Sequence, residues 1–159
     1  MLASLIFFII SAIALNYKLD INNQRGILFF LIFSSQFSDV AQYLSGKALG
    51  KKLFTQPKFI HKISPNKTLE GAVFGSLLSS VIGGLLGYWL TDFSLPLCFL
   101  LAYLIAWLGI TGDLLESVFK RRHHIKDTGT FIAGHGGVLD RIDSLLLSLP
   151  VFTLIYWFL

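Results

Sequence analysis

Charge is scarce in this 159-residue chain: 14% of its residues are Asp, Glu, Lys or Arg, against 54% that are hydrophobic. With a mean hydropathy of +0.70, there is too little polar surface to wrap a water-soluble globule of this length, and a membrane is the expected solvent. Cysteine is nearly absent. The single Cys98 lies in an apolar run, which excludes an intramolecular disulfide, and no Cys/His cluster has the spacing of a zinc site. Strict apolar and polar alternation is missing too, and with it the signature of a membrane β-barrel, so backbone groups in hydrocarbon must pair within helices. Met1 to Leu15 lacks a basic leading segment, and no small-residue cleavage site follows before Asn16, Tyr17 and Lys18, so it reads as a retained, short first span rather than a signal peptide. Internal repeats are absent, which disfavours a transporter. Acidic residues are the rarer charge, giving a formal net charge of +4. Beside membrane spans such an excess reports the cytoplasmic face, and no nucleic-acid partner is expected.

What the sequence does have is long apolar runs. Five spans are predicted: Met1 to Leu15, Gly26 to Ser45, Gly71 to Leu90, Leu95 to Gly112 and Ser144 to Leu159. The fold class is therefore all-α, a polytopic membrane helix bundle forming a single membrane domain over residues 1–159. The loop at 46–70 holds Lys47, Lys51, Lys52, Lys58, Lys62 and Lys67, and the loop at 113–143 holds Lys120, Arg121, Arg122, Lys126 and Arg141. Both loops are expected to be cytoplasmic and to form the active-site face, with Lys18 and Arg25 opposite. Gly83 and Gly87 lie four residues apart in the third span and suit close helix packing within the bundle better than a dimer seam.

Chemistry concentrates between Gly112 and Ser144, where Asp113, Glu116, Lys120, Arg121, Lys126, Asp127, Asp140, Arg141 and Asp143 crowd together. An ionisable group costs roughly 2.5 to 3.5 kcal/mol at a helix centre on insertion scales, so spans bounded by Asp113 and Asp143 imply a polar pocket at the membrane surface. A helical hairpin could join Asp113 to Asp140. Hard oxygen ligands of that kind suit Mg²⁺, which binds one or two carboxylates together with substrate phosphates. The Gly134-His135-Gly136-Gly137 turn permits close backbone approach and could line an anion nest, with Lys126 and Arg141 completing a phosphate site. Ser38, Asp39, Gln42 and Tyr43 fall near one face of the second span, and an intramembrane Asp39 is a functional candidate. Ser64 and Lys67 offer donors to phosphate just before the third span. Thr68 could equally cap that helix, and Ser64-Pro65 could be a plain turn. Arg122, His123, His124, His61 and most of the Lys47 to Lys62 group fit solvated, headgroup-facing charges.

Taken together, Ser117, Phe119, Lys120, Arg121, Lys126, Asp127, Gly129, Ile132, His135, Gly136, Gly137, Val138, Asp140, Arg141, Ile142 and Asp143 resemble the C-terminal pattern of the CDP-diacylglycerol synthase (phosphatidate cytidylyltransferase) family. Upstream, Asp39, Ala41, Tyr43, Gly46 and Gly50, then Ile63-Ser64-Pro65, Lys67-Thr68 and Glu70-Gly71, match as well. Ala133 departs from the family's usual Pro, Gly or Ser, and Gln42 interrupts the usual Ala-Tyr pair. Family members carry several more N-terminal spans, so the likeness covers their catalytic part.

The resemblance implies the reaction of CTP with phosphatidate to give CDP-diacylglycerol and pyrophosphate, in a bacterial inner membrane, with Mg²⁺ as cofactor and a homodimer as a plausible assembly. It implies Asp113 and Asp140 as metal ligands, with Asp143 close by. Lys126, Asp127, His135, Asp140, Arg141 and Asp143 form the implied catalytic set, although His135 need not be a base. Lys120, Arg121, Lys126 and Arg141, helped by Ser64, Lys67 and Asp39, are implied for substrate. Two other readings remain: a related CTP-dependent lipid cytidylyltransferase such as a CDP-archaeol synthase, and an inactive or partner-dependent membrane subunit.

Overall fold

The structure is a computed structural model, and it describes residues 2–22, 24–50, 53–54, 67–122 and 139–159. Among these residues it contains five helices, α1 (Leu2–Asn22), α2 (Gly26–Leu49), α3 (Leu69–Leu90), α4 (Leu95–Arg122) and α5 (Leu139–Phe158). The all-α membrane bundle expected from composition is what the chain forms. The first four helices are long and apolar enough to cross a membrane, and α5 carries the shorter apolar stretch Ile142–Phe158.

Every helix runs past the apolar limits that hydropathy suggested. Hydrogen bonding along a helix does not stop where the side chains turn polar, because only a cap or a breaker ends it. So α4, at 28 residues, is about 42 Å long at 1.5 Å per residue, well beyond the ~30 Å hydrocarbon layer. Its last turns, from Asp113 to Arg122, are helix where a loop had been expected. Lys120, Arg121 and Arg122 close them, cations at the negative end of the helix dipole. At α3 the start is fixed by Thr68, whose side chain accepts the Gly71 N–H at 3.1 Å; the capping alternative for this residue is the one realised.

The helices run up and down. At one end of the bundle, Tyr156 Oη donates to Gln24 Oε1 at 2.6 Å, and Gln24 Nε2 donates to Asp92 Oδ2 at 3.2 Å. That end therefore gathers the α1–α2 turn, the α3–α4 turn and the end of α5. Lys18 reaches across it to the Tyr156 ring, 4.4 Å from the centroid. The opposite end gathers the end of α2, the start of α3, the end of α4 and the start of α5.

Small residues set the spacing. A Cβ on Gly75 would lie 2.4 Å from Gln42 Cα, and one on Gly87 would lie 2.6 Å from the Phe30 ring, so α3 and α2 touch nearly backbone to backbone. Gly83 is wedged between Ser34 of α2 and Ala102 of α4. The glycines of α3 thus serve packing within the bundle, as expected. Below them the core joins Leu31, Ile105, Phe30 and Phe152, with the last two rings 6.3 Å apart. Outside, Phe7, Ile10, Phe29, Val81 and Trp89 are exposed, as suits a surface solvated by lipid chains.

Candidate active site

At the second of these ends the helices enclose a cavity of about 340 Å³. Asp39, Gln42 and Tyr43 of α2 form one wall, Lys67, Thr68 and Gly71 around the α3 start form another, and Ile110, Asp113 and Leu114 of α4 with Asp143 of α5 close it. Three carboxylates separated widely in sequence thus share one chamber with a lysine.

Local chemistry explains how each arrives there. Gly112 has no side chain to hold α5 away: a Cβ at that position would stand 2.6 Å from the Asp143 carbonyl oxygen. Asp113, the next residue of α4, therefore sits beside the first turns of α5. Gly71 plays the matching part between α3 and α2, since its Cβ would lie 2.7 Å from the Gln42 carbonyl oxygen. Lys67, one residue before the Thr68 cap, forms an ion pair with Asp113 Oδ2. Ser117, one turn along α4, donates to Asp113 Oδ1 at 3.5 Å.

Behind the chamber runs a polar seam. Ser144 is buried; it accepts from the Ser35 hydroxyl at 3.3 Å and stands beside the Asp39 side chain. Asp143 Oδ1 accepts the Ser144 N–H at 2.8 Å. Glu116, three residues along α4 from Asp113, is 4% exposed. It lies beside Asp143 and pairs with Lys120 Nζ at 3.5 Å. Asp39 lies within electrostatic range of Asp143, Asp113 and Lys67, so the wall carries more negative than positive charge among the described residues. Water screens such a group poorly inside a bundle, and the arrangement attracts a cation.

The residues singled out by sequence divide into three sets. Asp39, Lys67, Asp113 and Asp143 meet at the cavity. Lys120 turns to Glu116, and Arg121 stands exposed in the last turn of α4. Ser64, Lys126, Asp127 and His135 lie outside the described residues. Asp140 and Arg141 are in the first turn of α5, but their side chains are also outside the description, so the expected meeting of Asp113 with Asp140 is not addressed. Among the described side chains, Asp143 is the α5 carboxylate that lines the chamber. Sequence reasoning gave no role to Glu116. Its spacing of three residues from Asp113, which places both on one helix face, was the available signal. Among the described residues, no three His, Cys, Asp or Glu side chains are gathered into a metal cage.

A second anchor lies at the α3 start. Glu70 is fully buried, and its Oε1 accepts the N–H groups of Leu53 at 3.2 Å and Phe54 at 3.0 Å. The chain leaving α2 is thereby tied to the chain entering α3, and Lys67 is held at the cavity mouth.

The model of the cytidylyltransferase family matches residues 1–159. A phosphatidate cytidylyltransferase of Helicobacter pylori is 44% identical over 121 residues, which is 76% of this chain and 43% of that protein. One from Pseudomonas aeruginosa is 44% identical over 123 residues, again 76% of this chain and 43% of its own length. One from Staphylococcus aureus is 40% identical over 120 residues, 74% of this chain and 44% of its own. The chain spans less than half the length of these relatives. On the match of the family model to its whole length, the chain belongs to the cytidylyltransferase family.

Proposed function

We propose that the chain carries the catalytic site of a phosphatidate cytidylyltransferase, which converts CTP and phosphatidate to CDP-diacylglycerol and pyrophosphate. One observation supports this above the rest: Asp39, Lys67, Asp113 and Asp143, from four separate segments, line one chamber at one end of a membrane bundle. A soluble anion can enter such a chamber from water while a lipid approaches along the helices.

In the proposed reaction a phosphate oxygen of phosphatidate attacks the α-phosphorus of CTP, a new P–O bond forms, and the bond to the β-phosphate breaks to release pyrophosphate. A phosphomonoester has its second pKa near ~6 and is already ionised at neutral pH, so the site needs no strong general base. Its task is to hold two anions together as charge moves onto the leaving group, which is electrostatic work. Lys67 offers an ammonium to the phosphates, and Lys126, Arg141 and the His135 turn belong to the same proposal. The donor set suits Mg²⁺, since carboxylates are hard oxygen ligands and two of them with phosphate oxygens suffice for that ion. Asp113 would hold it with Asp143 or Asp140, and when bound it would neutralise phosphate charge.

We place the chamber on the cytoplasmic face of a bacterial inner membrane, because eleven of the thirteen Lys and Arg residues fall in the sequence stretches 46–70 and 113–143 and the relatives named above are bacterial. A homodimer is proposed as the assembly; a detergent-corrected mass of one chain would rule it out.

The test is conversion of radiolabelled phosphatidate by the purified chain in detergent with CTP and Mg²⁺, alongside Asp113→Asn. Turnover by the wild type that falls at least about 100-fold in the variant, with unfolding temperature unchanged, supports the assignment. A folded wild-type chain that neither turns over nor binds CTP overturns it and favours the partner-dependent subunit.

A further inference from the structure

The carboxylate best suited to hold a cation already has one. Lys67 Nζ is paired with Asp113 Oδ2, and both side chains are half-buried, at 26% and 31% exposure, so the pair is only partly screened. Lys67 is also the one basic residue among the described lining of the cavity. The same ammonium therefore faces two demands: it neutralises Asp113, and it is placed to meet a phosphate that enters the chamber. It cannot satisfy both fully, because an ammonium is a compact point charge whose attraction falls with distance.

We infer that Lys67 is an exchangeable counter-cation: it occupies Asp113 until a divalent metal and a triphosphate arrive together, then passes from the carboxylate to the phosphates as the metal takes its place. This rests on the proposed function, in that Asp113 is taken as a metal ligand. The charge count makes the exchange favourable. Three carboxylates and one lysine leave two negative charges among the described lining residues, which one divalent cation balances. The metal alone, however, must displace or repel Lys67 from Asp113 toward Asp39, the carboxylate within the lysine's electrostatic range, where the two cations still share one chamber. A triphosphate supplies a destination with negative charge of its own. Metal and nucleotide binding are thus coupled through one side chain, and by linkage each tightens the other. The mobility needed is small, since Lys67 precedes the Thr68 cap and lies outside α3, on a four-carbon stem.

The experiment uses Mn²⁺ alone as the probe, followed by electron paramagnetic resonance on the purified chain without nucleotide. The exchange predicts that Lys67→Met binds Mn²⁺ about tenfold more tightly than wild type, a gain of one charge interaction, while its KM for CTP rises. Asp113→Asn should lose Mn²⁺ binding by about tenfold or more. If Asp113→Asn weakens Mn²⁺ binding but Lys67→Met leaves it unchanged or weaker, the exchange is wrong and the metal assignment stands. If Asp113→Asn binds Mn²⁺ as wild type does, the metal assignment fails and the exchange fails with it. Should Lys67→Met not fold, Lys67→Gln carries the same comparison with a shorter, polar side chain.

Discussion

At the scale of single residues, the site depends as much on atoms that are missing as on those that react. Gly112 admits α5 to α4 because it has no Cβ to strike the Asp143 carbonyl. Gly112→Ala is expected to destabilise the bundle by about 1 to 3 kcal/mol through overpacking. It should also cut turnover by more than its effect on folding, because it moves Asp143 relative to Asp113. Thermal unfolding and kcat measured on one preparation check the split; equal kcat with a lowered unfolding temperature would mean that the two carboxylates need no fixed separation. The charged residues of the cavity were legible from sequence, since an Asp inside or beside an apolar run has few structural uses. The role of Glu116 was not. A sequence shows that Glu116 lies one helical turn from Asp113, but only packing shows that it is turned inward, against Asp143 and Lys120.

At the scale of elements, boundaries were the less readable part. Hydropathy marked where side chains stop being apolar, which is earlier than where helices stop, so the charged segment 113–122 was expected as loop and is the end of α4. That difference bears on mechanism, because a helix holds Asp113, Glu116, Ser117 and Lys120 in fixed register and a loop would not. The tie from Glu70 to Leu53 and Phe54 does comparable work for the segment before α3. Glu70→Ala leaves two backbone donors without their acceptor and should cost about 2 kcal/mol. Glu70→Gln retains a carbonyl oxygen and is expected to recover most of it. The kinetic signature should be a raised KM for CTP, through displaced Lys67, with kcat the less affected. A fall in kcat with KM unchanged would assign Glu70 to chemistry instead of positioning.

At the scale of the whole molecule, the up-and-down arrangement of the described helices was readable because the apolar runs are long and the basic residues cluster on alternate connections. Its orientation is open to a direct check. In a Cys98→Ser background, Lys47→Cys lies in the last turn of α2 near the cavity, and Ser94→Cys lies in the turn between α3 and α4 at the other end. Intact cells should label Ser94→Cys with a membrane-impermeant maleimide and leave Lys47→Cys unlabelled until they are broken open. The reverse pattern would invert the topology and the proposed cytoplasmic site with it. The polar seam joining Ser35 to Ser144 across 109 residues also sets an order of assembly during synthesis. Because α5 leaves the ribosome after the other four helices, the serine-lined stripe and Asp39 of α2 first meet lipid without their final partner. Translation itself therefore delays formation of the active chamber until α5 has entered the bilayer, and an insertion intermediate halted before that point would be a natural substrate for membrane quality control.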